Sequence, residues 1–260
     1  MTLNIDEDFE RIVKSTERIR DLGEVFTPSA TVTEMLDLLP ATVWSVHPAK
    51  NFLEPACGDG NFLVDVLARK LHRVGEGFRK AKLPAGKSVE AAQFHGLEAL
   101  ASVYAVDISA DNIIGGTPGH EIGARARLLS DFARWNQEVL GKRINDRSLI
   151  LRSATWVTDH NLIVGNAMPR DAAGQLTQRD DLPLIEYEFR PADRTVVLRR
   201  TSLGDVIEAS QVAASDALKL FGPTEPAHLW EGNATSLFQA DRVTAPRLRG
   251  PARNGARHAR

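Results

Sequence analysis

The residues best placed to do chemistry lie in one short run, FLEPACGDGNFL, from Phe52 to Leu63. A carboxylate, Glu54, ends an apolar stretch. Pro55, Ala56, Cys57, Gly58, Asp59 and Gly60 follow, and Asn61 and Phe62 open an amphipathic segment. Glycines let the chain turn tightly and let a ligand lie against bare backbone. The helix start behind them presents free N–H groups and partial positive charge. Phosphate does not suit this loop. A P-loop ends in Gly-Lys-Ser/Thr, whereas Gly60 is followed by Asn61, and a dinucleotide loop needs three spaced glycines where only Gly58 and Gly60 stand. The acid before the loop favours a cationic or hydroxyl-bearing ligand. S-adenosylmethionine is such a ligand, with an ammonium, a sulfonium, a ribose diol and no phosphate. An ordinary strand–turn–helix junction gives the same pattern, and that reading stays open.

Two more polar residues fall where strands are expected to end. "SVYAVDIS" reads as a strand closing on Asp107, and "NLIVGNA" as one running into Asn166. A short strand over 51–53 precedes the glycine loop. Between these strands the apolar spacing predicts helices: one from Asn61 with Leu63, Val66, Leu67 and Leu71 inward, one over 90–100, and one from Thr117 carrying Ile122, Leu129, Phe132 and Val139. Strands alternating with helices predict a parallel sheet, whose ligands sit beyond the carboxyl ends. Glu54, Asp107 and Asn166 all fall at such ends.

Upstream, residues 8–22 read as a helix stopped by Gly23. Thr27 and Pro28 form an N-cap and first-turn pair for the next helix, which carries Val32, Met35, Leu36 and Leu39 and stops at Pro40. Residues 73–89 read as a charged surface excursion. "LPLIEYEF" and "RTVVLRRTSL" read as strands of an antiparallel edge, and 210–221 as a helix. From Asp241 onward six arginines face one acid, and this predicts a disordered basic tail, either a plain terminus or an attraction for nucleic-acid phosphate.

The 260 residues divide into an N-terminal helical segment, 1–50, an α/β domain, 51–220, and a C-terminal extension, 221–260. A formal charge of −2 argues against a globally basic binder, and one cysteine excludes a disulfide framework and a multi-cysteine zinc site. No metal site is expected. The sequence shows no signal peptide and no spanning apolar run, so a cytoplasmic location without membrane contact is expected.

Four segments together resemble the adenine-specific DNA methyltransferases of restriction–modification systems. "GEVFTP" resembles their upstream cofactor motif, "FLEPACGDGNFL" their cofactor loop, "ALASVYAVDIS" their second strand, and "NLIVGNAM" their third. The resemblance runs from Leu22 to Met168. It implies a Rossmann-like doubly wound sheet of the class I methyltransferase type, with S-adenosylmethionine as cofactor and DNA as partner. It also implies roles. Phe26, Thr27 and Pro28 lie against the cofactor, and Glu54 with the backbone of Pro55, Ala56, Cys57, Gly58 and Gly60 holds its amino-acid part beside Asn61 and Phe62. Asp107 accepts from both ribose hydroxyls, Ile108 packs on the adenine, and Asn166 with Ala167 meets the adenine amine. A core position for Ile108 and a helix-capping role for Asp107 remain the bland alternatives.

One family element is missing. These enzymes carry Asn/Asp-Pro-Pro-Tyr/Phe after the third strand, where oxygens accept the hydrogens of a weakly nucleophilic amine and an aromatic ring stacks on the extruded base. No such tetrad occurs in this chain. Glu186 and Tyr187 are the nearest residues of the right kind, though strand alternation places them on opposite faces. Three readings follow: an adenine methyltransferase with a diverged catalytic loop; a cofactor-binding subunit or remnant that works with a restriction, specificity or second methylase subunit; or a methyltransferase acting on protein or RNA. About ninety residues follow Met168, fewer than a separate recognition domain needs. DNA sequence choice is therefore expected to be weak or supplied elsewhere.

Overall fold

The computed structural model describes residues 27–80, 89–116, 121–168, 182–205 and 227–241. Phe26, the expected helices at 8–22 and 210–221, and the basic tail from residue 242 lie outside these ranges.

Three short strands build a parallel sheet: β1 (Phe52–Glu54), β2 (Val103–Asp107) and β3 (Leu162–Val164), in the order β1-β2-β3. Phe52 pairs with Val103, and Asp107 with Val164. Every residue of β2 is buried, as a central parallel strand covered on both faces must be. Its side chains alternate. Val103 and Ala105 join the large helical core, whereas Tyr104 and Val106 pack with Leu182, Leu184 and Leu203 on the other face.

Helix α1 (Ser29–Asp37) follows Pro28, whose fixed φ suits a helix entrance, and no side-chain cap is made there. Val32 and Leu36 are buried; Met35 and Leu39 of the expected inward face are exposed. Helix α2 (Asn61–Arg79) buries Leu63, Val66, Leu67, Lys70, Leu71 and Val74. It continues through the start of the expected surface excursion, because Val74 and Gly75 have core neighbours. A Cβ on Gly75 would lie 3.0 Å from Val139 Cγ1. Arg69 fastens α1 to α2, donating to Asp37 Oδ1 (2.6 Å), Asp65 Oδ1 (3.0 Å) and Thr33 O (3.1 Å).

Helix α3 (Val89–Ala101) is buried on nearly all sides. Its alanines and Gly96 permit this: a Cβ on Gly96 would stand 2.7 Å from Trp135 Cζ3. A single turn, α4 (Ala110–Ile113), leads to α5 (Ala124–Leu140). In α5, Leu128 and Phe132 are buried, and the expected Ile122 lies outside it and is exposed. Helix α6 (Leu149–Asn161) was not anticipated, although Ile150, Ala154 and Val157 are buried at helical spacing.

A second sheet is antiparallel and separate: β4 (Pro183–Arg190), β5 (Thr195–Ser202) and β6 (Ala227–Asn233). The two expected strands therefore pair with each other and do not extend the parallel sheet. β6 and the 3₁₀ turns at Ala234–Gln239 belong to the body of the fold, with Leu237 fully buried and Trp156 Nε1 donating to Asp241 Oδ1 (2.5 Å). A boundary at residue 220 would cut this sheet. The chain is thus mixed α/β, a three-stranded parallel sheet with helices beside a three-stranded antiparallel one. Among the described residues no helix is long and apolar enough to cross a membrane.

Candidate functional site

The pairing register brings Glu54, Asp107 and Val164 to one edge of the parallel sheet. Pairing continues past β1: Cys57 N–H donates to Val106 O (3.1 Å), and Gly58 N–H then reaches Asp107 Oδ2 (2.8 Å). Gly58 and Gly60 have φ of 54° and 96°, left-handed conformations in which a Cβ is strained. Gly60 N–H closes the turn on Cys57 O (3.0 Å). The loop lies against α5 at Gly60, where a Cβ would sit 3.0 Å from Ala124 Cβ.

Asp107 is 8% exposed and accepts three hydrogen bonds, from Gly58 N–H, from Ser109 N–H (2.8 Å) and from Asn112 Nδ2 (3.0 Å). A carboxylate offers about four acceptor positions. This arrangement leaves about one for a further donor. The capping reading is also partly met: Ser109 holds the N-cap position of α4 without a side-chain cap bond, and its N–H donates to Asp107. Glu54 is half-buried and accepts from Ala56 N–H (3.2 Å). Pro55 and Ala56 are exposed.

Ile108 is 58% exposed, which removes the core alternative. Val164 and Met168 are also exposed, so the strand ends carry apolar side chains beside polar acceptors, the usual make-up of a small-molecule site. Asn166 is exposed and its Oδ1 accepts from Met168 N–H (2.9 Å). Ala167 and Phe62 turn inward, Ala167 onto the Tyr104–Val106 cluster and Phe62 onto the main core. Both are partly buried and pack beneath this edge of the sheet. Cys57 is buried, and burial followed by the charges of Asp107 and Glu54 pushes its thiol pKa far up, so it serves as a small filler.

Thr27 joins the loop through its carbonyl, which accepts from Asn61 Nδ2 (3.0 Å). Sequence reasoning missed the residue that ties this corner together. Arg127 donates to Asp59 O (2.9 Å) and Asn61 Oδ1 (2.9 Å) and lies 3.1 Å from the Asp59 carboxylate. Its partners are 66 to 68 positions away, so no local pattern marks it.

The structure does not bring Glu186 and Tyr187 to this edge of the sheet. Tyr187 Oη donates to Asn161 Oδ1 (2.8 Å), and its ring packs near Trp156, Tyr104 and Phe189. Burial raises its pKa well above the ordinary range. Glu186 lines a cavity of about 360 Å³ with His47, Asn51, Glu98, Ser102 and Arg199. Asn51 and Ser102 immediately precede β1 and β2, so this cavity opens at the amino ends of the strands. Five residues at about 3.3 Å each separate that end of β2 from Asp107, roughly 16 Å. The cause lies in β4, which is antiparallel and held to β2 through Tyr104 Oη and Ile185 O (2.8 Å). That attachment leaves Glu186 beside the amino ends of the parallel strands. In comparisons with known proteins, no family model, no curated protein and no solved structure matches this chain.

Proposed function

We propose that the chain binds S-adenosylmethionine at the carboxyl ends of β1, β2 and β3 and serves methyl transfer to the exocyclic amine of adenine in DNA. In this reading the three strands are one half of a doubly wound class I methyltransferase sheet. The observation that carries it is the Gly58 N–H to Asp107 bond, which draws the glycine loop from the end of β1 across the end of β2 beside the exposed Ile108. The residues fit the ligand. The loop offers backbone to the amino-acid part, Asp107 retains an acceptor position for a ribose hydroxyl, and Ile108 offers an apolar face to adenine. The cofactor supplies an electrophilic methyl group. The residues of this chain bind and orient it, and Thr27, Asn61 and Arg127 hold the loop in shape.

The hydrogen bond that ties Tyr187 to Asn161 and the distant placement of Glu186 favour a second reading, in which a partner subunit supplies the groups that hold the target amine. Calorimetric titration with S-adenosylmethionine tests the first step. Saturable binding by the parent, abolished in a Gly58→Val variant that unfolds at a temperature near the parent's, supports the cleft. No binding by the parent overturns it. Methyl transfer to DNA of mixed sequence then separates the readings: turnover by the chain alone favours an intact enzyme, and binding without turnover favours the subunit.

A further inference from the structure

The amino ends of the same strands hold a cluster for which the cofactor reading has no use. His47 lies in the segment between the 3₁₀ turn at Ala41–Trp44 and β1, and His95 and Glu98 lie one turn apart on α3. Residues three apart on a helix share a face, so one element presents an imidazole and a carboxylate to the imidazole of the other. His47 Nδ1 is 2.8 Å from Glu98 Oε1, and His95 Nδ1 is 3.2 Å from Glu98 Oε2. A nitrogen from each ring and a carboxylate oxygen all lie within 4.8 Å of one another.

Hydrogen bonding alone leaves this cluster incompletely satisfied. The His95 ring is fully buried, and its Nε2 has no partner. Glu98 is 5% exposed, and its contacts are two imidazoles and the Ala49 N–H (3.0 Å). The nearby ammonium of Lys70 does not take either carboxylate oxygen; it donates to Lys50 O (2.5 Å) and Ser102 Oγ (2.8 Å). A divalent cation between the rings would balance the buried carboxylate.

We propose that His47, His95 and Glu98 form a binding site for a divalent metal ion of the zinc class. Two imidazoles and a carboxylate are a three-ligand set suited to zinc, with bonds of about 2.0–2.2 Å. Tetrahedral bonds of that length set ligand atoms about 3.3–3.6 Å apart. The 2.8 and 3.2 Å contacts are both shorter than that spacing, so a bound ion would part these atoms slightly. The widest separation must close by about 1 Å, and His47, on a partly exposed segment, is the ligand able to move. The cavity of about 360 Å³ adjoins His47 and Glu98 and leaves the fourth position to water or an oxygen ligand.

The test uses the full chain without an affinity tag, stripped of metal by chelator dialysis and titrated with cobalt(II), which zinc(II) then displaces. One equivalent of cobalt should bind with the visible absorption of a low-coordinate site. His47→Ala and Glu98→Gln should each weaken zinc binding by at least about tenfold, the loss that even outer-shell changes produce, while His228→Ala should change nothing. Absence of a saturable band, or full binding by His47→Ala, overturns the site. X-ray absorption of the zinc-loaded parent gives a readout independent of any variant's folding. Two imidazoles in the shell support the assignment, and one or none refutes it.

Discussion

The two ends of the parallel sheet solve opposite problems. At the carboxyl end, three strands stop together and a glycine loop covers them with backbone, leaving Ile108 and Asn166 open to solvent. At the amino end, polar groups are drawn inward: Lys70 at 2% exposure, His95 at 0% and Glu98 at 5%. The first end is built from short runs that each close a strand, 54–61, 107–112 and 164–168, and the second from single residues spread over 47–199. The contrast teaches that an end made of strand-closing loops can be recognised run by run in the chain, whereas a buried polar cluster made of single residues is visible only once the packing has assembled it.

The sharpest way to break the comparison is Asp107→Ala. It removes the acceptor of Gly58 N–H, Ser109 N–H and Asn112 Nδ2 at once. Hydrogen bonds to a charged group contribute about 1.5–3 kcal/mol each, without full additivity. A loss of about 4 kcal/mol in urea denaturation is expected, together with a fall in S-adenosylmethionine affinity of at least about tenfold. A variant as stable as the parent would show that the loop is not pinned by this carboxylate.

The amino end should show itself through pH. Burial lowers the Lys70 pKa from 10.5 to about 8, against the opposing pull of Glu98. Between these values the unfolded chain holds the proton more firmly than the folded one, so stability rises with pH across that window. The full contribution is reached above the unfolded value and is lost as pH falls through about 8. The gap corresponds to roughly 3 kcal/mol. Unfolding of the parent and of Lys70→Met, compared from pH 7 to 11, isolates it: the parent should gain on the variant with rising pH. Parallel curves would mean that Lys70 is solvated in the folded state.

The smallest effect separates the two ends directly. Tyr187→Phe removes the donor to Asn161 Oδ1 and should cost about 1 kcal/mol of stability. Asn161 keeps its bonds to Ala101 O and Val103 O. S-adenosylmethionine affinity should not change. A clear drop in affinity would bring Tyr187 into the cleft and undo the separation of the ends.

What was legible in the chain was local. Hydrophobic patterning located α3, the start of α2 and the three parallel strands, although α2 runs on to Arg79 through the start of the expected surface excursion. The glycine loop was legible because Gly58 and Gly60 hold φ values that glycine alone adopts without strain. Helix α6 escaped, its buried positions being interrupted by Arg152, Thr155 and Asp159 in a run of ordinary polarity.

The sequence by itself determined the acid-and-glycine loop, the carboxylate closing β2 and the alternation of strand and helix, since each depends on neighbours within a few residues. The tertiary structure alone decided that Asp107 spends three acceptor positions on its own fold, that Arg127 locks the loop, that β4 turns Glu186 toward the far end of the sheet, and that His47 meets His95 and Glu98. The physical reason is range. Backbone geometry and side-chain periodicity act along the chain, whereas hydrogen-bond satisfaction and charge pairing act through space, between residues 49 to 68 positions apart at Asp107 and Arg127.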